Sequence, residues 1–143
     1  MLLPIALTLA AAAALLNFWL AVRISRIRMA EKVLHGDGGN TLLHRRMRAQ
    51  ANFIEYCPIV LILFTLVELA IGSTTWLWVL ALVFVLGRVA HAFGMDSDKA
   101  NPWRAGGIMI TFATLLILSG AALYAAYGSM RELPVPPSLV GHV

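Results

Sequence analysis

Four continuous apolar runs divide the chain: Leu2 to Val22, Tyr56 to Ile71, Trp76 to Ala92 and Ala105 to Tyr127. None of them alternates apolar with polar residues, which argues against the strands of a β-barrel. A helix needs about 20 residues to cross about 30 Å of hydrocarbon. The second and third runs reach that length only by extending into their polar flanks. The pattern therefore predicts an all-α integral membrane protein, one domain with helices over about 2–28, 42–71, 74–95 and 102–127. "GSTT" supplies a tight turn between the second and third helices. The tail from residue 128 is expected to be a short exposed extension, because the prolines of "LPVPPSLVGHV" cannot continue a helix.

Composition agrees with this pattern. Of 143 residues, 60% are apolar and 13% charged, against roughly 25% charged in soluble domains. The net charge of +4 is modest, and the aromatics are not interleaved with basic residues, so nucleic acid is not expected as a partner. The single cysteine, Cys57, excludes an internal disulfide and reads as a small packed side chain. No Lys or Arg precedes the first apolar run, so this run reads as a retained helix and not a signal peptide.

The basic residues are unevenly placed. Arg23, Arg26, Arg28, Lys32, Arg45, Arg46 and Arg48 lie between the first and second helices. Arg88, Lys99 and Arg104 lie in or beside the connection from the third to the fourth. Only Arg131 is on the other side. The positive-inside rule then makes the 1–2 and 3–4 loops cytoplasmic and puts both termini outside.

Charge alone does not explain the polar residues at membrane depth. Arg48, Asn52, Glu55 and Tyr56 stand at i, i+4, i+7 and i+8, within about 100° of arc on a helix. They fit either an Arg48–Glu55 arrangement pinning helices together, with Asn52 as an interhelical hydrogen-bonding group, or a pocket for a zwitterionic ligand. "GRVAH" places Arg88 and His91 at the same depth on the third helix. No second histidine, cysteine or carboxylate has ligand spacing around His91, so neither metal nor haem is expected. "NPWR" reads as a helix start, with Asn101 as N-cap, Pro102 at the first position and Arg104 in the first turn. A cation there opposes the helix dipole, which favours a role in attracting an anion. Arg23 closes the first helix on the same side. Arginines suit carboxylates, Glu55 an ammonium and Asn52 a peptide group. Glutathione, with two carboxylates, one amine and peptide bonds, fits that set.

"RMRAQANFIEYCP" resembles the signature of the MAPEG family, the membrane-associated proteins in eicosanoid and glutathione metabolism. The shared pattern is R-x-x-x-N-x-x-E-Y-x-P. "GRVAH" and "NPWR" resemble the matching segments of helices three and four, and the style is that of small bacterial members. The resemblance implies a homotrimer of four-helix bundles in the bacterial inner membrane, with glutathione bound between subunits near the cytoplasmic face. It implies Arg23, Arg48, Asn52, Glu55, Tyr56, Arg88, His91 and Arg104 as glutathione contacts, with Arg88 and His91 the helix-three pair of one branch and Arg104 the thiolate-stabilising residue. Met95 and Ile108 stand where some branches carry site tyrosines, which argues against transferring a prostaglandin or leukotriene synthase activity.

The leading expectation is a glutathione-dependent transferase or peroxidase acting on lipophilic electrophiles or hydroperoxides dissolved in the membrane. The alternatives are a non-catalytic trimer that keeps the polar site, and a small proton-coupled multidrug exporter. The exporter is disfavoured because Glu55 has Arg48 and Arg45 nearby, instead of being isolated in lipid. Glu68, near the outer end of the second helix, reads as an interfacial anchor.

The charge asymmetry generates a topology prediction. With Cys57 replaced, a cysteine at Gly38 is shielded from a membrane-impermeant thiol reagent in intact cells, and one at Ser138 reacts. The reverse labelling would invert the orientation.

Overall fold

A computed structural model describes residues 2–131. It is all-helical: α1 (Pro4–Glu31), α2 (Thr41–Ile71), α3 (Thr75–Gly94) and α4 (Pro102–Arg131). All four are long and apolar enough to cross a membrane. The polar flanks extend the helices as expected, and α2 starts at Thr41, well before its apolar run. The first and last helices run further than the sequence predicts, because Met29 to Glu31 and Gly128 to Arg131 remain helical beyond the apolar stretches. The rest of the tail, Ser138 included, lies outside the described residues.

Local chemistry sets the ends. Lys32 adopts a left-handed conformation (φ +53°) and stops α1. The Asn40 side chain accepts from the Leu43 N–H at 2.9 Å and starts α2. Asp37, in the loop before it, accepts from the Gly39 N–H and pairs with His44. The Gly39 N–H, and after it His44, holds the Asp37 carboxyl below its ordinary range. Asn101 caps α4 through the Trp103 N–H at 2.9 Å, with Pro102 at the first helical position, as the sequence predicts. Gly38 is a poor labelling position, since its φ is +57° and a Cβ there would meet Val33 at 2.6 Å. His35, exposed in the same loop, serves the topology test better.

The core joins leucines and alanines of α1 (Leu9, Ala13, Leu16, Leu20) to Phe53, Val60 and Phe64 of α2 and to Leu77 and Phe84 of α3. Cys57 is buried among them, a packed side chain. Lipid tails are as apolar as leucine, so close backbone approach and polar contacts must contribute to helix association. Glycines provide the close approach between α3 and α4. A Cβ on Gly107 would lie 2.5 Å from the Gly87 carbonyl oxygen, and one on Gly94 would lie 2.3 Å from the Arg104 nitrogen. Gly94 therefore lets the first turn of α4 rest directly on the end of α3.

At the opposite end of the bundle, Glu68 corrects the expectation of an interfacial anchor. It is 1% exposed. Its carboxylate accepts from the Ile5 N–H at 3.1 Å, the Ala6 N–H at 2.8 Å and the Ser73 hydroxyl at 2.6 Å. Leu3 provides no side-chain cap to α1, so Glu68 of α2 satisfies N–H groups that the helix start leaves open. Glu68→Ala is expected to cost roughly 1–3 kcal/mol, the range for buried donors left without a partner. Glu68→Gln, with one acceptor oxygen, should cost less. Thermal unfolding in detergent measures both; an unchanged midpoint for Glu68→Ala would remove the cap from the fold.

Candidate functional site

The polar end of the bundle has two zones. In the first, Asp96, just beyond α3, joins α1 and α2. Its Oδ2 accepts from Nη2 of Arg23 at 2.5 Å and from Nη2 of Arg46 at 3.1 Å, and its Oδ1 accepts from Nε of Arg46 at 3.2 Å. Arg46 also donates to the Arg23 backbone carbonyl at 3.3 Å. Arg23 donates to the Ala92 carbonyl at 3.3 Å and lies against the Trp19 and Phe93 rings, at 4.6 and 5.6 Å from their centroids. Arg45 pairs with Asp98. These contacts tie the α3–α4 loop to both neighbouring helices.

The second zone is a cavity of about 420 Å³, lined by Arg48, Asn52, His91, Met95, Ala100, Asn101, Arg104, Ala105 and Ile108. Four of the sequence-predicted site residues meet here: Arg48 and Asn52 from α2, His91 from α3 and Arg104 from α4. Met95 and Ile108 line the same space and give it apolar wall in place of tyrosine hydroxyls.

Charge compensation separates the zones. Arg23, Arg45 and Arg46 have aspartates. Among the described residues, the Arg48 and Arg104 side chains pair with no carboxylate, and both are exposed. Arg88 is 2% exposed and pairs with no carboxylate of the described residues either. It sits behind Asn52, donating from Nη2 to Asn52 Oδ1 at 2.9 Å and from Nη1 to the Thr111 hydroxyl at 3.3 Å. Its Nε has no hydrogen-bond partner among the described residues. His91 Nδ1 lies 2.9 Å from the Arg104 carbonyl oxygen. A carbonyl only accepts, so Nδ1 carries a proton, and in the neutral ring Nε2 is left as the acceptor.

The other sequence-predicted residues lie elsewhere in the single chain. Arg23 belongs to the Asp96 cluster. Glu55 is exposed on α2 and pairs with neither Arg48 nor Arg45, which corrects the expectation of an Arg48–Glu55 pin; Arg45 is held by Asp98 instead. Tyr56 is half-buried and meets Phe112 edge-on at 5.6 Å. Sequence reasoning missed Asp96, Asp98, Thr111 and the glycine contacts. The two aspartates carried a readable signal, as an acidic pair in a loop facing a strongly basic one. Thr111 carried none, being one threonine in an apolar run.

An apolar groove of about 370 Å³ lies between α1 and α3, lined by residues such as Ile5, Leu9, Trp78, Leu82 and Val85. It is at the Glu68 end and shares no residue with the cationic cavity.

Fold and site together define a helical membrane-type protein with an arginine-lined cavity at one end of its bundle. The chain belongs to the MAPEG family, whose model matches residues 6–124. It is similar to the inner membrane protein YecN of Escherichia coli K12, with 32% identity over 112 residues, covering 78% of this chain and 84% of YecN. YecN of Escherichia coli O6:H1 matches to the same extent.

Proposed function

We propose that the chain is a glutathione-dependent transferase or peroxidase acting on lipophilic electrophiles or hydroperoxides. The observation that carries the reading is the concentration of uncompensated cations. Arg48 and Arg104 line the cavity, Arg88 lies directly behind it, and no carboxylate of the described residues pairs with any of them. Arg88, 2% exposed, is a guanidinium kept out of water without a counter-charge, which is costly, and the exposed Arg48 and Arg104 add to the positive field in front of it, so the site favours an anion. Glutathione offers two carboxylates, which suit forked arginine donors. Its size also suits a cavity in the usual range of about 300–1,000 Å³.

In this reading Arg48 and Asn52 hold the tripeptide and Arg104 faces the sulfur. An ordinary thiol, with a pKa of about 8.5, is only a few per cent ionised at neutral pH. Lowering it by two units takes about 2.7 kcal/mol of preferential thiolate stabilisation. A nearby guanidinium and the start of a helix in a partly dry cavity supply energy of that order. In conjugation the thiolate forms the new sulfur–carbon bond as the leaving group departs, and the thiol proton passes to water.

The protein would work as a homotrimer. Glu55 supports this, since it is exposed on α2 with no partner among the described residues. A carboxylate beside the start of the apolar run is costly to leave against lipid, and an adjoining copy with a bound ammonium would relieve it. Tyr56 would complete the site across that boundary, while Arg23 holds the α3–α4 loop beside it through Asp96. The inner membrane is the proposed location, following the name of the YecN relatives, with the 1–2 and 3–4 loops in the cytoplasm. Met95 and Ile108 favour the second reading, a trimer that binds glutathione without chemistry, because no tyrosine hydroxyl stands at either position.

Arg104→Ala separates the two readings. It is expected to raise the apparent pKa of bound glutathione by about one to two units and to slow conjugation more than it weakens binding. Lysine should rescue in part, keeping the charge without the fork. Ultraviolet thiolate absorbance against pH, with pre-steady-state conjugation to a chromogenic aryl halide, provides the measurement. If the substitution leaves titration and chemical step unchanged, Arg104 is not the activating group. A wild type with no thiolate signal would leave the non-catalytic reading.

A further inference from the structure

We infer that Arg88 is a positioning residue that fixes the Asn52 carboxamide so that its nitrogen, and not its oxygen, is offered to the cavity. The inference rests on the reading of this cavity as a glutathione site. It adds what that site demands at one point: a hydrogen-bond acceptor, either a carboxylate or a peptide carbonyl.

Hydrogen-bond polarity carries the argument. A guanidinium only donates. The Asn52 atom at 2.9 Å from Nη2 of Arg88 is therefore the oxygen, whichever way the amide is first drawn. That occupies the acceptor end of the carboxamide. Asn52 lines the cavity, and no hydrogen bond within the described residues engages its nitrogen. The group left for a ligand is a two-proton donor.

Arg88 is itself held in place. Its other terminal nitrogen donates to the Thr111 hydroxyl at 3.3 Å, and that hydroxyl donates to the Gly107 carbonyl at 3.1 Å. The direction of each bond is thus determined from α4 through α3 to α2. Phe53 lies beside the guanidinium, 5.6 Å from its ring centroid, and the residue is 2% exposed. With no carboxylate of the described residues to compete for it, Arg88 has Asn52 as its one side-chain acceptor on α2. Arg48, Arg104 and the Asn52 nitrogen then form a wall of donors, with His91 Nε2 the acceptor among them. An ammonium at the Asn52 position, which can only donate, meets a donor and is refused; a carboxylate or carbonyl oxygen is accepted.

Asn52→Asp tests this with the polarity reversed. One carboxylate oxygen keeps Arg88, while the other turns an acceptor and a negative charge toward the ligand. In the purified full-length protein, the thermal midpoint should hold or rise. Glutathione affinity by calorimetry should fall at least about tenfold, the scale of an unpaired buried polar group. Arg88→Lys, which still only donates, should stay within about threefold of wild type, whereas Arg88→Gln, which can present either end, should lose about tenfold. Wild-type affinity in Asn52→Asp or in Arg88→Gln overturns the inference, and so does a lowered midpoint in Asn52→Asp. If the wild type itself binds no glutathione, the tripeptide reading fails. The orientation is then decided by thermal unfolding alone: Asn52→Asp should hold or gain stability with Arg88 present and lose it in an Arg88→Gln background. The same effect in both backgrounds would overturn it.

Discussion

A shortage of carboxylates, and where the few are placed, organises the polar end of this protein. Asp96 takes Arg23 from α1 and Arg46 from α2, and Asp98 takes Arg45. The charge of the basic first loop is thereby partly neutralised and the α3–α4 loop is anchored. The cost of gathering cations is reduced where the bundle needs to be tight. One helical turn away the compensation stops. Arg48, Arg88 and Arg104 surround or back a cavity with no acidic side chain among the described residues paired to them. The fold thus creates both a structural cluster and an electrostatic deficit of positive sign around the cavity.

The rest of the bundle holds that deficit in register. Gly94 and Gly107 bring the first turns of α4 against α3, so the Arg104 backbone lies within reach of His91. Thr111 and Arg88 then connect α4 to Asn52 on α2. At the far end Glu68 ties the start of α1 to α2 through two backbone N–H groups. Polar contacts at both ends, with small-residue packing between α3 and α4, do what the hydrophobic effect cannot do inside lipid.

The sequence made the four helices legible because spans of apolar residues have few other uses. The Asn101–Pro102 start of α4 was equally readable, since capping chemistry is local. Arg48, Asn52, His91 and Arg104 were legible as a cluster because helical spacing and common depth put them at one end. What failed was partner choice. Arg48 and Glu55 share an arc of α2, yet spacing along one helix says nothing of the aspartates on another, and Arg45 went to Asp98. Arg88 read as a ligand contact, whereas in the chain it lies behind Asn52, a depth set by packing against α4. Glu68 read as an anchor at the lipid surface because the open N–H groups of α1 are invisible until α1 and α2 are placed side by side.

The central claim is that the uncompensated arginines make a site for glutathione. Calorimetry of the purified protein with glutathione and with its S-methyl form tests it most directly. Both should bind, because the carboxylates that the arginines recognise are unchanged by methylation. Replacing Arg48 or Arg104 with alanine should weaken both, and added salt should weaken them further. Absence of binding heat for either compound across a range of temperatures, or affinities indifferent to both substitutions, would contradict the claim.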